Sequence, residues 1–402
     1  MEEFNKIEIR HICSNICSGG TPKSTVLEYY GGNIPWLNTK EINFSSIYET
    51  EKTITEEGLN NSSAKWIPAN SVIVAMYGAT AGKTAITKIP LTTNQACCNL
   101  TIDSNKADYR FVYYALYNDY AYLASLANGG AQQNLNAQQI KEFEIPYPSL
   151  EKQKGIADIL TTIDNKIELN RRINDNLEQQ AQALFKSWFV DFEPFRGGEF
   201  VDSELGLVPK GWRVVSLGEV TKQRTEKVGN REDVTVLSPI NSGELVLSEE
   251  YFTKQVFSKD LSKYLIVNPL SFAYNPARIN IGSIGLNTFD FVGCVSPVYV
   301  VFECEPNYQY FFDFFKRTAM FKDEVALRAI GGVRQSLGYN DLSLIKTIYP
   351  TSDVVVEFNN LYLKMKEVMI KNTDQNEKFI SLRDSLLPKL MSGELKINEF
   401  NC

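Results

Sequence analysis

The 402-residue chain holds one histidine, His11. A metal cluster or a Ser/His/Asp relay would have to be built on that residue, and its place near the N-terminus suits a solvated or structural role better. The seven cysteines form no CxxC pair; Cys13 and Cys17 are four apart, and Cys97 and Cys98 are adjacent. Reduced thiols are the simplest reading, and no metal site is expected. No Pro-Pro dipeptide occurs, which removes the Asp/Asn-Pro-Pro-aromatic motif of amino-methyltransferases. "YNPARIN" (Tyr274 to Asn280) comes closest, with Ala277 and Arg278 where a proline and an aromatic are needed. No GxGxxG follows a strand-like run, so no dinucleotide or S-adenosylmethionine loop is expected. Asp191 and Glu193 could form a carboxylate pair, but beside Pro194 a capping or linker role fits better. No apolar run approaches the ~20 residues of a membrane span. The opening "MEEFNKIEIRHICSN" lacks the basic-then-apolar order of a secretion signal. Positive charge is short as well. The net charge is −7; residues 1–147 carry 11 basic and 14 acidic groups, and residues 191–350 carry 17 and 20. No segment is a basic module, so any nucleic-acid contact needs local patches or a partner's cations.

What is present begins with "GATAGKT" at residues 78–84, after the strand-like run "SVIVAMY" (Ser71 to Tyr77). It suggests a phosphate-binding loop. Such a loop needs four residues between its first glycine and the Gly-Lys pair. Only Ala79, Thr80 and Ala81 lie between Gly78 and Gly82, and Pro90 interrupts the helix that should follow. Nucleotide hydrolysis is therefore not expected, and a binding protein is the better reading.

The chain repeats itself. "GGAQQNL" at 129–135 recurs as "GGVRQSL" at 331–337, an offset of 202 residues. Tyr147-Pro148 falls on Tyr349-Pro350, Asn170 on Asn372 and Leu184 on Leu386 at the same offset. "KWIPANSVIVA" (Lys65 to Ala75) resembles "KYLIVNPLSFA" (Lys263 to Ala273), and "DYRFVYYAL" (Asp108 to Leu116) resembles "NYQYFFDFF" (Asn307 to Phe315), at offsets of 198 and 199. Ordered matches at nearly one offset argue for two copies of one plan.

Each half is strand- and turn-rich first and then helical. The first helix is expected from Ser149, a good N-cap, to about Phe189. Ile156, Leu160, Ile163, Ile167, Leu177, Ala181, Leu184 and Trp188 alternate at steps of three and four, with Asn170 and Asn174 between. The second half offers Val354, Phe358, Leu361, Met365, Val368, Asn372, Gln375, Phe379, Leu382 and Leu386. These are heptad seams with polar centres. In an antiparallel pair the centres meet, so Asn170 and Asn174 should face Asn372 and Gln375 and set register. A helix of ~40 residues runs about 60 Å, too long for one small domain to cover. The expected fold class is α+β: two β-rich modules separated by two long antiparallel helices in a coiled coil, with pseudo-twofold internal symmetry.

The candidate contact residues lie in polar loops after strands, where Arg and Lys suit guanine and Asn and Gln suit adenine. In the first half they are Thr21, Lys23, Lys83, Thr84, Asn94, Gln95, Gln132 and Gln133. In the second they are Arg278, Asn280, Ser283, Arg334 and Gln335. Each could equally be a polar turn capping its own strand; their recurrence in both halves carries the reading.

Four long stretches resemble the specificity subunit (HsdS) of type I restriction–modification systems. "SGGTPKSTVLEYYGGNIPWLNTKEI" (Ser18 to Ile42) resembles the opening of that family's target recognition domain. "PYPSLEKQKGIADILTTIDNKIELNRRINDNLEQQAQALFKSWFVDFEP" (Pro146 to Pro194) is similar to its central shared helix. "VPKGWRVVSLGEV" (Val208 to Val220) and "LRDSLLPKLMSGEL" (Leu382 to Leu395) resemble its second domain start and C-terminal shared region. The resemblance implies target recognition domains at 1–147 and 191–350 (the latter with its linker), spacer helices at 148–190 and 351–395, and a tail at 396–402. It implies a non-catalytic cytoplasmic chain that reads a bipartite double-stranded DNA target. Two methyltransferase subunits would dock on it and carry S-adenosylmethionine; restriction subunits would use ATP and Mg; this chain would bind no cofactor. The second half lacks a "GGTP" opening and a "GxxxGKT" copy, so its half-site is expected to differ. The alternative is a two-module adaptor with a coiled-coil spacer, not directed at DNA.

Overall fold

The computed structural model describes residues 4–127, 134–252, 257–328 and 336–396. The chain divides into two compact units: Met1–Arg172 with Asn372–Cys402, and Ile173–Lys371. No helix among the described residues is long and apolar enough to cross a membrane.

In the first unit the relevant strands are β1 (Cys13–Ser18), β2 (Tyr30–Leu37), β3 (Ser45–Ile47), β4 (Val72–Ala75), β5 (Thr84–Thr87) and β6 (Cys97–Ile102). Five of them form one sheet in the order β1-β6-β4-β5-β3. β4 lies antiparallel to β6 on one side and to β5 on the other, with Val72 opposite Leu100 and Ile86. "VIVA" of β4 is buried on both faces, which is why it reads as a continuous apolar run and not as an alternation. Asp108 caps α1 (Tyr109–Asn118) by accepting from the Arg110 N–H at 2.8 Å. The long helix α2 (Leu150–Phe189) starts behind Ser149, whose carbonyl accepts the Gln153 N–H at 2.9 Å. Val74, Leu100 and Phe111 pack in one core with Ile156 and Leu160 of α2 and with Leu387 and Leu390 near the chain's C-terminal end.

The second unit repeats the plan with β7 (Thr221–Arg224), β8 (Phe272–Tyr274), β9 (Ile284–Leu286) and β10 (Val300–Cys304), ordered β7-β10-β8-β9. Here too the strand leading into the helix (β10) sits between the outer strand and a hairpin. Phe272 of β8 lies opposite Phe302 and Leu286. β10 leads to α3 (Gln309–Phe315), and the second long helix α4 spans Ser352–Met391. The core is aromatic: Phe272 and Phe302 stack at 5.1 Å, and Phe358 of α4 lies 5.7 Å from Phe185 and 5.2 Å from Phe189 of α2.

Each unit contains part of both long helices, running antiparallel. In the first unit Asn170 Nδ2 donates to Asn376 Oδ1 at 3.0 Å and Gln375 Oε1 at 3.3 Å. In the second, Asn174 Nδ2 donates to the Met369 carbonyl at 3.0 Å. Asn372 is half-buried and partnered. The α2 seam is buried as expected at Ile156, Leu160, Ile163, Ile167 and Ala181, and Phe185 and Phe189 join it. The α4 seam differs from the expected one. Leu361, Val368 and Leu382 are exposed, while Val355, Tyr362 and Asn376 are buried and Met369 is partly so. Adjacent apolar pairs such as Leu361 and Tyr362 leave the phase open in sequence. Tyr362 takes the inner position because its ring packs 4.9 Å from Phe314 and 5.2 Å from Tyr310.

Candidate nucleic-acid interface

The "GATAGKT" loop is the connection between β4 and β5, which run antiparallel. A strand, and not a helix N-terminus, follows it, unlike the helix a phosphate loop runs into. Gly78 and Gly82 both have positive φ, +72° and +84°. At Gly82 a Cβ would also meet the Ala124 backbone N at 3.2 Å, so glycine serves both conformation and clearance. A 3-10 turn at Gly78–Thr80 is closed by the Ala81 and Lys83 N–H groups, which donate to Gly78 and Thr80 carbonyls. The Lys83 ammonium donates to Asn43 Oδ1 at 2.7 Å and lies 5.9 Å from the Phe44 ring. Phe44 in turn stacks on Tyr117 of α1 at 4.4 Å.

The second unit has the same device. The β8–β9 connection holds a 3-10 turn at Ile279–Ile281, followed by Gly282 at φ +94°. The leucines that close the repeated "GG" motifs hold equivalent places in the two units. Leu135 donates its backbone N–H to the Met76 carbonyl at 2.8 Å, and Leu337 donates to the Pro276 carbonyl at 3.0 Å. Both leucines are fully buried. In each unit the repeated leucine pins the base of the hairpin loop.

The helices beside the hairpins are tied together by ion pairs. In the first unit Arg383 of α4 donates to Asp164 Oδ1 of α2 at 2.9 Å and to the Tyr117 hydroxyl at 2.8 Å. The Tyr114 hydroxyl donates to Asp164 Oδ2 at 2.7 Å; burial first, and Asp164's charge second, push its pKa up. In the second unit Lys316 is buried with Asp313, 2.7 Å from Oδ1, and donates to the Ile284 carbonyl of β9 at 3.0 Å and to the Gly243 carbonyl. Burial lowers its pKa, opposed by Asp313's charge. Arg317 joins Asp313 at 2.9 Å and also pairs with Glu178 of α2.

Residues 1–179 match the family described as the type I restriction modification DNA specificity domain. The chain is 29% identical over 399 residues to the type I restriction enzyme MjaIX specificity subunit of Methanocaldococcus jannaschii, covering 96% of this chain and 92% of that one. The chain is thus similar to type I specificity subunits along nearly its whole length. A second relative, the type I restriction enzyme HindI specificity subunit of Haemophilus influenzae, is 24% identical over 69% of this chain and 74% of its own. The crystal structure of the type I restriction–modification S subunit from M. genitalium shares the fold, with a TM-score of 0.57, 17% identity and 96% coverage of both chains.

The expected contact residues of this chain separate by exposure. Lys23, Gln95, Arg278 and Asn280 are exposed, and Thr21 and Lys83 are partly so. The "GGTP" and "TTNQ" segments are brought together: the Gly20 N–H donates to the Thr93 carbonyl at 2.8 Å. A Cβ at Gly20 would lie 2.0 Å from the Ala64 backbone N, so that glycine lets two segments of the chain meet. Asn94 has its side chain committed to the loop itself, accepting from the Ala96 N–H at 3.1 Å and donating to Asn38 Oδ1 at 3.0 Å. Two expectations are corrected. Thr84 is 0% exposed, because it is the first residue of β5 and its Oγ1 points into the fold without a partner. Ser283 is 3% exposed and donates to the Pro239 carbonyl at 2.8 Å. Neither can reach a ligand. Gln132, Gln133, Arg334 and Gln335 lie outside the described residues.

Sequence reasoning missed a cavity of about 290 Å³ in the first unit, lined by Lys88, Arg110, Arg171 and Arg383 among others. These residues come from a strand end, from α1 and from both long helices. No local motif could have joined them; the pair Arg171-Arg172 within a helical pattern is the one hint.

Proposed function

We propose that this chain reads a bipartite double-stranded DNA target, one half through each unit's recognition module, for a type I restriction–modification enzyme. The observation that carries the reading is the twice-built hairpin: an exposed polar loop with a 3-10 turn, pinned by Leu135 in one unit and Leu337 in the other. Two loops of one design and different sequence, Lys83 in the first and Arg278 and Asn280 in the second, suit two different half-sites. Lys23, Gln95 and Thr21 extend the first surface. The recognition domains are assigned to 1–147 and 191–350, and the spacers to 148–190 and 351–395.

Two methyltransferase subunits dock on the helices in this reading and hold S-adenosylmethionine, while restriction subunits use ATP and Mg. This chain holds neither cofactor, and the assembly works in the cytoplasm. The support for docking is an uncovered apolar line on α4: Val356, Leu363 and Ile370 are exposed at intervals of one heptad. Methylome sequencing of cells with and without the gene tests the proposal. A split adenine-methylated motif that disappears with the gene is expected; an unchanged methylome sinks it. Exchanging the β8–β9 loop for another should alter one half of the motif and leave the other.

A further inference from the structure

The two units carry clefts of opposite charge at corresponding places. In the first, the cavity between the sheet edge, α1 and the long helices is lined by four cations, Lys88, Arg110, Arg171 and Arg383, against the carboxylates Asp164 and Glu168. In the second, a cavity of about 560 Å³ is lined by Arg317 and Lys366 against Glu178, Glu244, Glu250 and Asp313. The repeat shows how the sign inverted. Tyr114 and Asp164 correspond to Asp313 and Lys366 at the offsets of 199 and 202 found in the sequence.

Within the first cleft most charges are spoken for. Arg110 pairs with Asp108 and Asp158, Arg383 with Asp164, and Glu168 with Arg172. Lys88 and Arg171 have no carboxylate partner among the described residues. Lys88 is half-buried, with its ammonium 5.7 Å from the Tyr109 ring. Its pKa is lowered by burial and then by Arg110's charge, the mark of a cation with like charge beside it and no anion to offset it. Ser45 and Ser46 also line this space, and Asn43 and Phe44, which hold Lys83, line it beside them. An anion entering here would meet two unpaired cations and several neutral donors.

We propose that the first unit's cleft grips a backbone phosphate of the DNA through Lys88 and Arg171, and that the second unit's cleft does not. The inference rests on the DNA reading above and adds to it a sequence-independent contact made partly by a spacer helix. It also answers how an acidic chain meets DNA. The cations are concentrated at one place, where they position the duplex against the adjacent Lys83 loop.

Binding of a mixed-sequence duplex by the full chain, titrated between about 50 and 200 mM salt, reads the contact directly, because each phosphate neutralised contributes about 0.9 to the log–log salt slope. Lys88→Gln and Arg171→Gln should each lower the slope by about that amount, Lys88→Arg should keep it, and Lys366→Gln in the second unit should leave it unchanged. Arg171 is exposed on its helix, so its variant carries the test if Lys88→Gln does not fold. Wild-type binding with unchanged slopes in both Gln variants overturns the site alone. An equal loss in Lys366→Gln overturns the asymmetry. A wild-type chain that binds no duplex overturns the DNA reading and the site with it.

Discussion

Asn170 and Asn376 are joined inside the helix pair of the first unit. Asn170 Nδ2 donates to Asn376 Oδ1 at 3.0 Å, and Asn376 Nδ2 donates to the Ile167 carbonyl at 3.3 Å. Both side chains are buried, at 1% and 8% exposure. A one-turn slip of α4 against α2 would separate them and leave amide groups unpaired in an apolar seam, which is how a polar seam residue sets register.

Asn170→Ala should therefore cost about 1–3 kcal/mol, the cost of stranding a buried partner. Replacing Asn170 and Asn376 together by Leu should recover most of that loss. A double-mutant cycle by chemical denaturation decides it: additive single effects would contradict a shared bond.

Thr84 and Lys83 should part company. Thr84→Val removes a buried hydroxyl that has no hydrogen-bond partner and keeps the shape, so stability should hold or rise by up to about 1 kcal/mol. DNA binding should not change. Lys83→Ala should weaken DNA binding and leave the unfolding midpoint close to wild type, since its side chain is partly exposed. A loss of binding in Thr84→Val would contradict the buried placement.

Leu135→Ala and Leu337→Ala each empty a fully buried site at the foot of a hairpin loop. Each should cost about 2–5 kcal/mol. Hydrogen exchange should quicken most at the β4–β5 loop in the first variant and at the β8–β9 loop in the second. Uniform exchange changes would deny the leucines a local role.

Glu303 of β10 supplies a pH signature. Burial pushes its carboxyl up, but hydrogen bonds from Arg224 at 2.7 Å and from Asn268 and Ser271 at 3.4 Å outweigh this, and its pKa falls below the ordinary 4.5. A carboxylate lowered in the folded state adds stability above its unfolded value, and that stability is lost as pH falls through the folded value. Glu303→Gln should thus melt earlier than wild type at about pH 7, and the gap should close as pH drops below 4.5. A gap that persists in acid would show that packing, not charge, sets the difference.

Much of the fold could be read from residue order. The buried run "SVIVAMY" marked β4, the steps of three and four from Ile156 to Trp188 marked the α2 seam, and the recurring "GG" motifs marked two copies of one plan. The site was less legible. Lys83 and Thr84 are neighbours of similar promise in sequence, yet Lys83 lies in the loop while Thr84 begins a strand that the fold buries at every position. Ser283, just before the fully buried β9, is likewise enclosed and bonded to the Pro239 carbonyl. The Lys88–Arg171 cleft left almost no trace, because its cations are separated by more than 80 residues and meet only when α2 lies along the module.

By itself, the order of residues determined the α+β class, the internal repeat, the two long helices and the polar hairpin loops, since each rests on local periodicity, turn chemistry or self-similarity. Tertiary structure decided the phase of α4, where Tyr362 displaces Leu361 to reach Phe314. It decided that each compact unit takes part of both helices, because antiparallel pairing brings the start of α2 to the end of α4. And it decided the opposite charge of the two clefts, because charge at a site is a sum over residues that only packing assembles.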